Sequence, residues 1–129
     1  MKSQTYNWLV NKGNIIIQKN RNYVSLQINY ENGEYCLLTN TDTDEIIELL
    51  TSISKQIWES PNYERKHYTN QLYKTNGNRY YWEIENSKLV LNYNEIENGV
   101  EINYIGNSKF KLEVNCLVEI IQILEQLNK

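Results

Sequence analysis

The sequence predicts an α+β fold made of two successive units, each of four strands and a helix, with antiparallel sheets and two helices. Three observations predict it. Apolar and polar residues alternate with a period of two through most of the chain, as in half-buried antiparallel strands. Two stretches instead carry apolar stripes at helical spacing, Ile46, Leu49, Leu50, Ile53 and Ile57 in one, Leu117, Ile120, Ile121, Leu124 and Leu127 in the other. Asparagine and glycine clusters stand between the alternating segments, where turns belong.

The elements follow in order. Residues 6–10 form a short strand, and Asn11-Lys12-Gly13-Asn14 turns the chain into a second strand opened by Ile15-Ile16-Ile17. Residues 23–30 alternate, with Val24, Leu26, Ile28 and Tyr30 on one side and Tyr23, Ser25, Gln27 and Asn29 on the other. Asn32-Gly33 is a strong hairpin signal, because both turn residues need positive φ, and residues 35–39 return. Thr41 and Asp42 are expected to cap the first helix, with Asp44 and Glu45 in its first turn, where the helix dipole favours acid. Pro61 stops it.

The second unit repeats the plan. Tyr80, Trp82 and Ile84 alternate with Tyr81, Glu83 and Glu85, and Asn86-Ser87 turns the chain. Leu89, Leu91 and Tyr93 follow, then the Asn98-Gly99 hairpin, then Val100, Ile102 and Tyr104. Past a turn at Gly106-Asn107-Ser108, Phe110, Leu112 and Val114 form the inward face of a last strand, and Asn115 is expected to cap the second helix. The helices share a string, Glu45-Ile46-Ile47 against Glu119-Ile120-Ile121. The expected organisation is one domain, 1–129, with halves 1–61 and 79–129 joined by 62–78, a segment without sustained period.

Composition narrows the function. The chain has 129 residues and a net charge of -3, with 20 asparagines, 15 isoleucines, 11 tyrosines and no alanine. Asparagine, isoleucine and tyrosine have AT-rich codons and alanine GC-rich ones, so the bias suggests an AT-rich genome such as that of a bacterium, phage or mobile element. No apolar run approaches the length of a membrane span, and the first residues lead into no apolar signal core. Cys36 and Cys116 both lie among apolar residues, which fits two reduced core thiols and a cytoplasmic protein.

Catalytic constellations are sparse. His67 is the sole histidine, too little for a nucleophile–histidine–carboxylate arrangement beyond one loop group. Asp42, Asp44, Glu45 and Glu48 cluster, but at a helix start that wants acid, and without the spacing of a calcium loop. The glycines are isolated, so no phosphate cradle is present. The expectation is a non-enzymatic protein with no cofactor and no metal.

Two surfaces remain. Arg65, Lys66, Tyr68, Lys74 and Arg79 interleave basic and aromatic residues, the pattern that tracks a phosphate backbone and stacks bases. The acidic chain as a whole weighs against that use. The outward positions of the strands, taken as one face, hold Tyr23, Ser25, Gln27, Asn29, Tyr81, Glu83, Glu85, Asn92, Asn94, Glu101 and Asn103. Tyrosines and amides supply rigid contact area and adaptable hydrogen bonds, and the glutamates favour a basic partner. Tyr81, Glu83, Glu85, Asn92, Glu101 and Asn103 are the residues expected to meet it.

Two units of four strands and a helix, each closing with an apolar strand that runs directly into its helix (Phe110-Lys111-Leu112-Glu113-Val114 into Asn115-Cys116-Leu117), resemble the Whirly fold, and the Pur-type nucleic-acid-binding repeats are built similarly. That resemblance implies single-stranded nucleic-acid binding. No strand here matches the lysine-glycine-lysine-alanine motif of plant Whirly proteins, so no binding residue carries over. Small acidic proteins of this kind also resemble bacterial immunity proteins, which block a cognate toxin, often a basic nuclease, and phage-encoded inhibitors of host defence. The leading expectation is an immunity protein that occludes a basic toxin domain.

Overall fold

The computed structural model describes residues 4–30, 35–61, 63, 71–84, 86–106 and 110–128. The first unit runs β1 (Gln4–Val10), β2 (Gly13–Lys19), β3 (Val24–Tyr30), β4 (Cys36–Leu38) and α1 (Asn40–Trp58). The second runs β5 (Lys74–Asn76), β6 (Arg79–Ile84), β7 (Ser87–Asn94), β8 (Gly99–Ile105), β9 (Phe110–Leu112) and α2 (Val114–Leu127). The fold is α+β, and four strands before a helix recur in the two units, with β5 added at the start of the second.

Every pairing is antiparallel, and the strands form two sheets, ordered β1-β2-β3-β9 and β4-β8-β7-β6-β5. The units therefore exchange their last strands. β4 pairs with β8 of the second unit, Cys36 opposite Ile102, and β9 pairs with β3 of the first, Val24 opposite Leu112. Each exchanged strand leads at once into its helix. One residue, Thr39, separates β4 from α1, and Glu113 alone separates β9 from α2. The exchange requires neither unit to close a core alone. Ile15, Ile17, Val24 and Leu26 of one sheet, Leu89, Leu91, Val100 and Ile102 of the other, and Ile46, Leu50, Ile53, Leu117, Ile120 and Leu124 of the helices share one buried cluster. Fourteen such side chains account for roughly 20–40 kcal/mol of burial free energy before chain entropy is subtracted.

The close approach of β4 to β8 explains a glycine. A Cβ on Gly99 would lie 2.6 Å from the Leu38 carbonyl oxygen. At the first hairpin, Gly13 has φ +155, and a Cβ there would fall on the Asn29 carbonyl of the neighbouring strand.

Several expectations are corrected. The cap of α1 is Thr39, not Thr41 or Asp42. Its hydroxyl accepts the Asp42 N–H at 3.1 Å while the Asp42 carboxylate accepts the Thr39 N–H at 3.1 Å. This reciprocal box satisfies two end donors at once, so it outcompetes a start two residues later. α2 begins at Val114 with Glu113 at the cap position, and Asn115 lies inside the helix. Burial of Val114 draws the helix start upstream to the end of β9. The turn between β7 and β8 occupies residues 95–98, and Gly99 is already paired, with Asn94. Part of 62–78 is strand: β5 pairs with β6 through a Gly77-Asn78 turn. Its three residues are all exposed, so they carry no alternation to read. The Asn32-Gly33 turn, Asn107, Ser108 and His67 lie outside the described residues.

Candidate functional site

The expected outward face divides between the two sheets. Ser25, Gln27 and Asn29 lie on the four-stranded sheet with Tyr23 just before β3, and Tyr81, Glu83, Asn92, Asn94, Glu101 and Asn103 on the five-stranded one. Strand order alone decides this, and no periodicity reports it.

On the five-stranded sheet the register aligns Asn76, Arg79, Asn92, Glu101 and Leu37 in one row across β5, β6, β7, β8 and β4. The adjacent row holds Lys74, Tyr81, Val90 and Asn103, and the next holds Glu83, Lys88 and Ile105. Strand positions two apart share a face, so Tyr81, Glu83, Asn92, Glu101 and Asn103 come together as expected. Glu85 lies outside the described residues. A cleft of about 270 Å³ opens in this face, lined by Tyr35, Arg79, Val90, Asn92, Glu101 and Asn103.

Hydrogen bonds fix several of these groups. Asn94 Nδ2 donates to Glu101 Oε2 at 2.7 Å. The Tyr30 hydroxyl donates to Asn103 Oδ1 at 2.9 Å. Lys74 pairs with Glu83 at 3.3 Å, and the Lys88 ammonium stands 4.4 Å from the centre of the Tyr81 ring. Beside the cleft, Lys12 Nζ donates to the Tyr35 hydroxyl at 3.0 Å and to Glu97 Oε1 at 3.1 Å, and Tyr35 donates to the same carboxylate oxygen at 2.5 Å. The Tyr35 hydrogen bond, then that of Lys12, hold the Glu97 carboxyl below its ordinary range, and Lys12's own bonds to Tyr35, then to Glu97, hold its ammonium above its ordinary range.

Of the basic set, Lys74 and Arg79 lie on this same face, among Glu83 and Glu101. Arg65, Lys66 and Tyr68 lie outside the described residues. Sequence reasoning missed Tyr35 and Val90, which line the cleft. The signal for Tyr35 is its place at the start of the return strand; Val90 reads as an apolar interruption of a polar face.

Charge is segregated by layer. Of the chain's 16 acidic and 13 basic residues, the helices hold Asp42, Asp44, Glu45, Glu48, Glu119 and Glu125 against Lys55 alone. The remainder of the chain therefore has ten acids and twelve bases. Residues 4–30 contain Lys12, Lys19 and Arg21 and no acid, and β9 adds Lys111. A second cleft, about 230 Å³, opens on that four-stranded sheet between Thr5, Ile16, Gln18, Ser25 and Gln27.

The chemistry available on the five-stranded face is recognition through tyrosine hydroxyls, amides and paired charges. Among the described residues, no three histidine, cysteine, aspartate or glutamate side chains come together to hold a metal ion. No helix among them is long and apolar enough to cross a membrane. No protein-family model matches the chain, and no curated protein matches it in sequence.

Proposed function

We propose that the chain is a non-enzymatic binding protein, an immunity-type inhibitor that seats a toxin domain on the outward face of its five-stranded sheet. The observation that carries this reading is the convergence of Tyr35, Arg79, Val90, Asn92, Glu101 and Asn103 around an open cleft, with Tyr81 on the same face, on a sheet whose opposite face is locked in the core. A rigid, amide- and tyrosine-rich face loses little side-chain entropy on binding. The paired charges there set register and specificity, while the six helical carboxylates supply the longer-range field that attracts a basic domain. Inhibition follows sterically, by occupation of the toxin's active cleft. The test is co-expression with the protein encoded by the adjoining gene. The wild-type chain should restore growth and co-purify, and Tyr81→Ala with Asn103→Ala should lose both while remaining folded. A neighbour that is harmless when expressed alone, or rescue that survives the double substitution, ends this reading.

A second reading has its own observation. The four-stranded sheet, with Lys19, Arg21 and Lys111 and no acid on its strands, suits a polyanion, and single-stranded nucleic acid is the class the resemblance to Whirly folds implies. The Lys111 ammonium stands 4.4 Å from the centre of the Tyr23 ring, so cation and aromatic sit together. Binding of a labelled oligonucleotide should fall steeply with salt and weaken in Lys19→Glu/Lys111→Glu; no binding at low salt removes it.

A further inference from the structure

The four ends of the two sheets are not alike. β4, β5 and β9 are three residues each; β5 carries Lys74, β9 carries Lys111, and the edge of β4 away from β8 is met by Asn11, whose carbonyl accepts the Leu37 N–H at 2.9 Å. β1 has seven residues, QTYNWLV, with no charge and no proline, and its register with β2 runs from Gln4 opposite Lys19 to Val10 opposite Gly13 without a bulge. Short length, lysine, proline and bulges are the devices that keep sheet edges from pairing with other chains, and β1 has none of them. Among the described residues no backbone group bonds to the outer edge of residues 4–10, and β4 approaches only its Val10 end, where the next residue, Asn11, bonds Leu37. Leu9 on this strand is 82% exposed.

The strand is also its own complement. Turned antiparallel to itself about Asn7, it sets Tyr6 opposite Trp8, Thr5 opposite Leu9 and Gln4 opposite Val10. Aromatic meets aromatic on the half-buried side, where Tyr6 and Trp8 already lie with ring centres 6.0 Å apart. No like charges meet, so nothing in the edge selects an oppositely charged foreign strand over a second copy. We propose that two copies of this chain pair through β1, antiparallel about Asn7, joining their four-stranded sheets into one eight-stranded sheet. Such pairing satisfies the edge donors and acceptors of both strands and covers Leu9.

Light scattering across a micromolar concentration series tests it. The wild type should reach twice the chain mass of 15.4 kDa. Asn7→Lys places two like charges at the symmetry axis, and because Asn7 is exposed it should give a monomer with an unchanged circular dichroism spectrum. Asn7→Cys supplies the register. Directly opposed residues have Cα atoms about 4.5–5.5 Å apart, within disulfide reach, so this variant should oxidise to a covalent dimer. Thr5→Cys should not, because residue 5 faces residue 9; the native Cys36 and Cys116 are buried. A wild type monomeric at every concentration overturns the proposal. So does a dimer that survives Asn7→Lys, or one that cross-links through position 5 rather than 7.

Discussion

The Tyr30 hydroxyl, at the end of β3, bonds the backbone of Tyr104 on β8. It accepts the Tyr104 N–H at 2.7 Å and lies 3.1 Å from the Tyr104 carbonyl oxygen, which shares the hydroxyl's single proton with Asn103 Oδ1. β4 covers this edge of β8 only as far as Cys36 opposite Ile102, two residues short of Tyr104. Tyr30 is the last residue of β3, in the other sheet. Among the described residues this side chain takes the place of a ladder partner at Tyr104, and it ties the sheets together at the end remote from Leu38. Burial is the main cause that raises the Tyr30 pKa, so the hydroxyl keeps its proton.

Tyr30→Phe is therefore expected to destabilise the fold by about 1–3 kcal/mol, the cost of losing part-buried hydrogen bonds to Tyr104 and Asn103 together. Urea unfolding measures the loss, and amide exchange at Tyr104 localises it. Asn103→Ala removes only one of the hydroxyl's acceptors and should cost less. An unchanged midpoint with a still-protected Tyr104 amide would mean that water replaces the hydroxyl at no cost.

Glu119 makes a second tie. Its carboxylate accepts the N–H groups of Leu72 at 2.8 Å and Tyr73 at 3.0 Å, and the Trp82 indole N–H at 3.0 Å. Three donors converge on one anion, which pins the chain just before β5 to α2. Glu119→Gln keeps the size but turns an acceptor into a donor facing donors. The expected cost is about 1.5–3 kcal/mol, the range for hydrogen bonds to a charged group. Exchange should quicken first at residues 74–76, and Trp82 fluorescence should shift to the red. Uniform destabilisation with no local change at β5 would refute the latch.

These ties show what the sequence exposes and what it hides. Periodicity located both helix stripes and most strands, because Ile53 or Leu91 must face a core wherever that core lies. It is silent on which sheet a strand joins. Cys36, Leu37 and Leu38 of β4 and Phe110 and Leu112 of β9 are apolar in either arrangement, so strand exchange leaves no local trace. The split of the outward face follows from that. The shared Glu-Ile-Ile string does not report contacts either: Glu45 is exposed on α1, whereas Glu119 receives three donors. Contacts made across 46 residues, as between Glu119 and Tyr73, depend on topology, and the single sequence encodes topology only through the whole core. The Tyr81, Asn92, Glu101 and Asn103 grouping was legible because strand alternation is local and the hairpins linking β6, β7 and β8 are short.

Gly99→Ala tests the exchange itself. The added methyl would meet the Leu38 carbonyl oxygen at 2.6 Å and Leu37 Cδ1 at 3.1 Å, so β4 must retreat from β8. A loss of about 1–3 kcal/mol is expected from such overpacking. Gly77→Ala is the comparison. It has open space around it and only a φ of +65 to oppose the substitution, so its cost should be near 1 kcal/mol. Equal losses at the two glycines would contradict a close β4–β8 contact.

The two thiols give the fold a defined alkaline limit. Burial pushes both Cys36 and Cys116 up to about 11, with Glu119 and Glu113 adding to the rise at Cys116. In the unfolded chain they ionise near pH 8.5. The folded state therefore holds its thiol protons more tightly, and stability falls wherever the unfolded state binds fewer protons. The stabilisation is whole below about pH 8.5 and is lost as pH rises towards about 11, through the values of the folded thiols. Tyr30, whose pKa is also raised, adds to the loss in the same direction. Urea midpoints should stay flat with respect to these groups from pH 7 to about 8.5 and then decline. Cys36→Ala/Cys116→Ala should start from a lower midpoint and decline less steeply. Thiol labelling at pH 8 should be slow in the native protein and fast in urea. A double variant with the wild-type alkaline slope would assign the decline to other groups, and rapid native labelling would contradict the burial of both side chains.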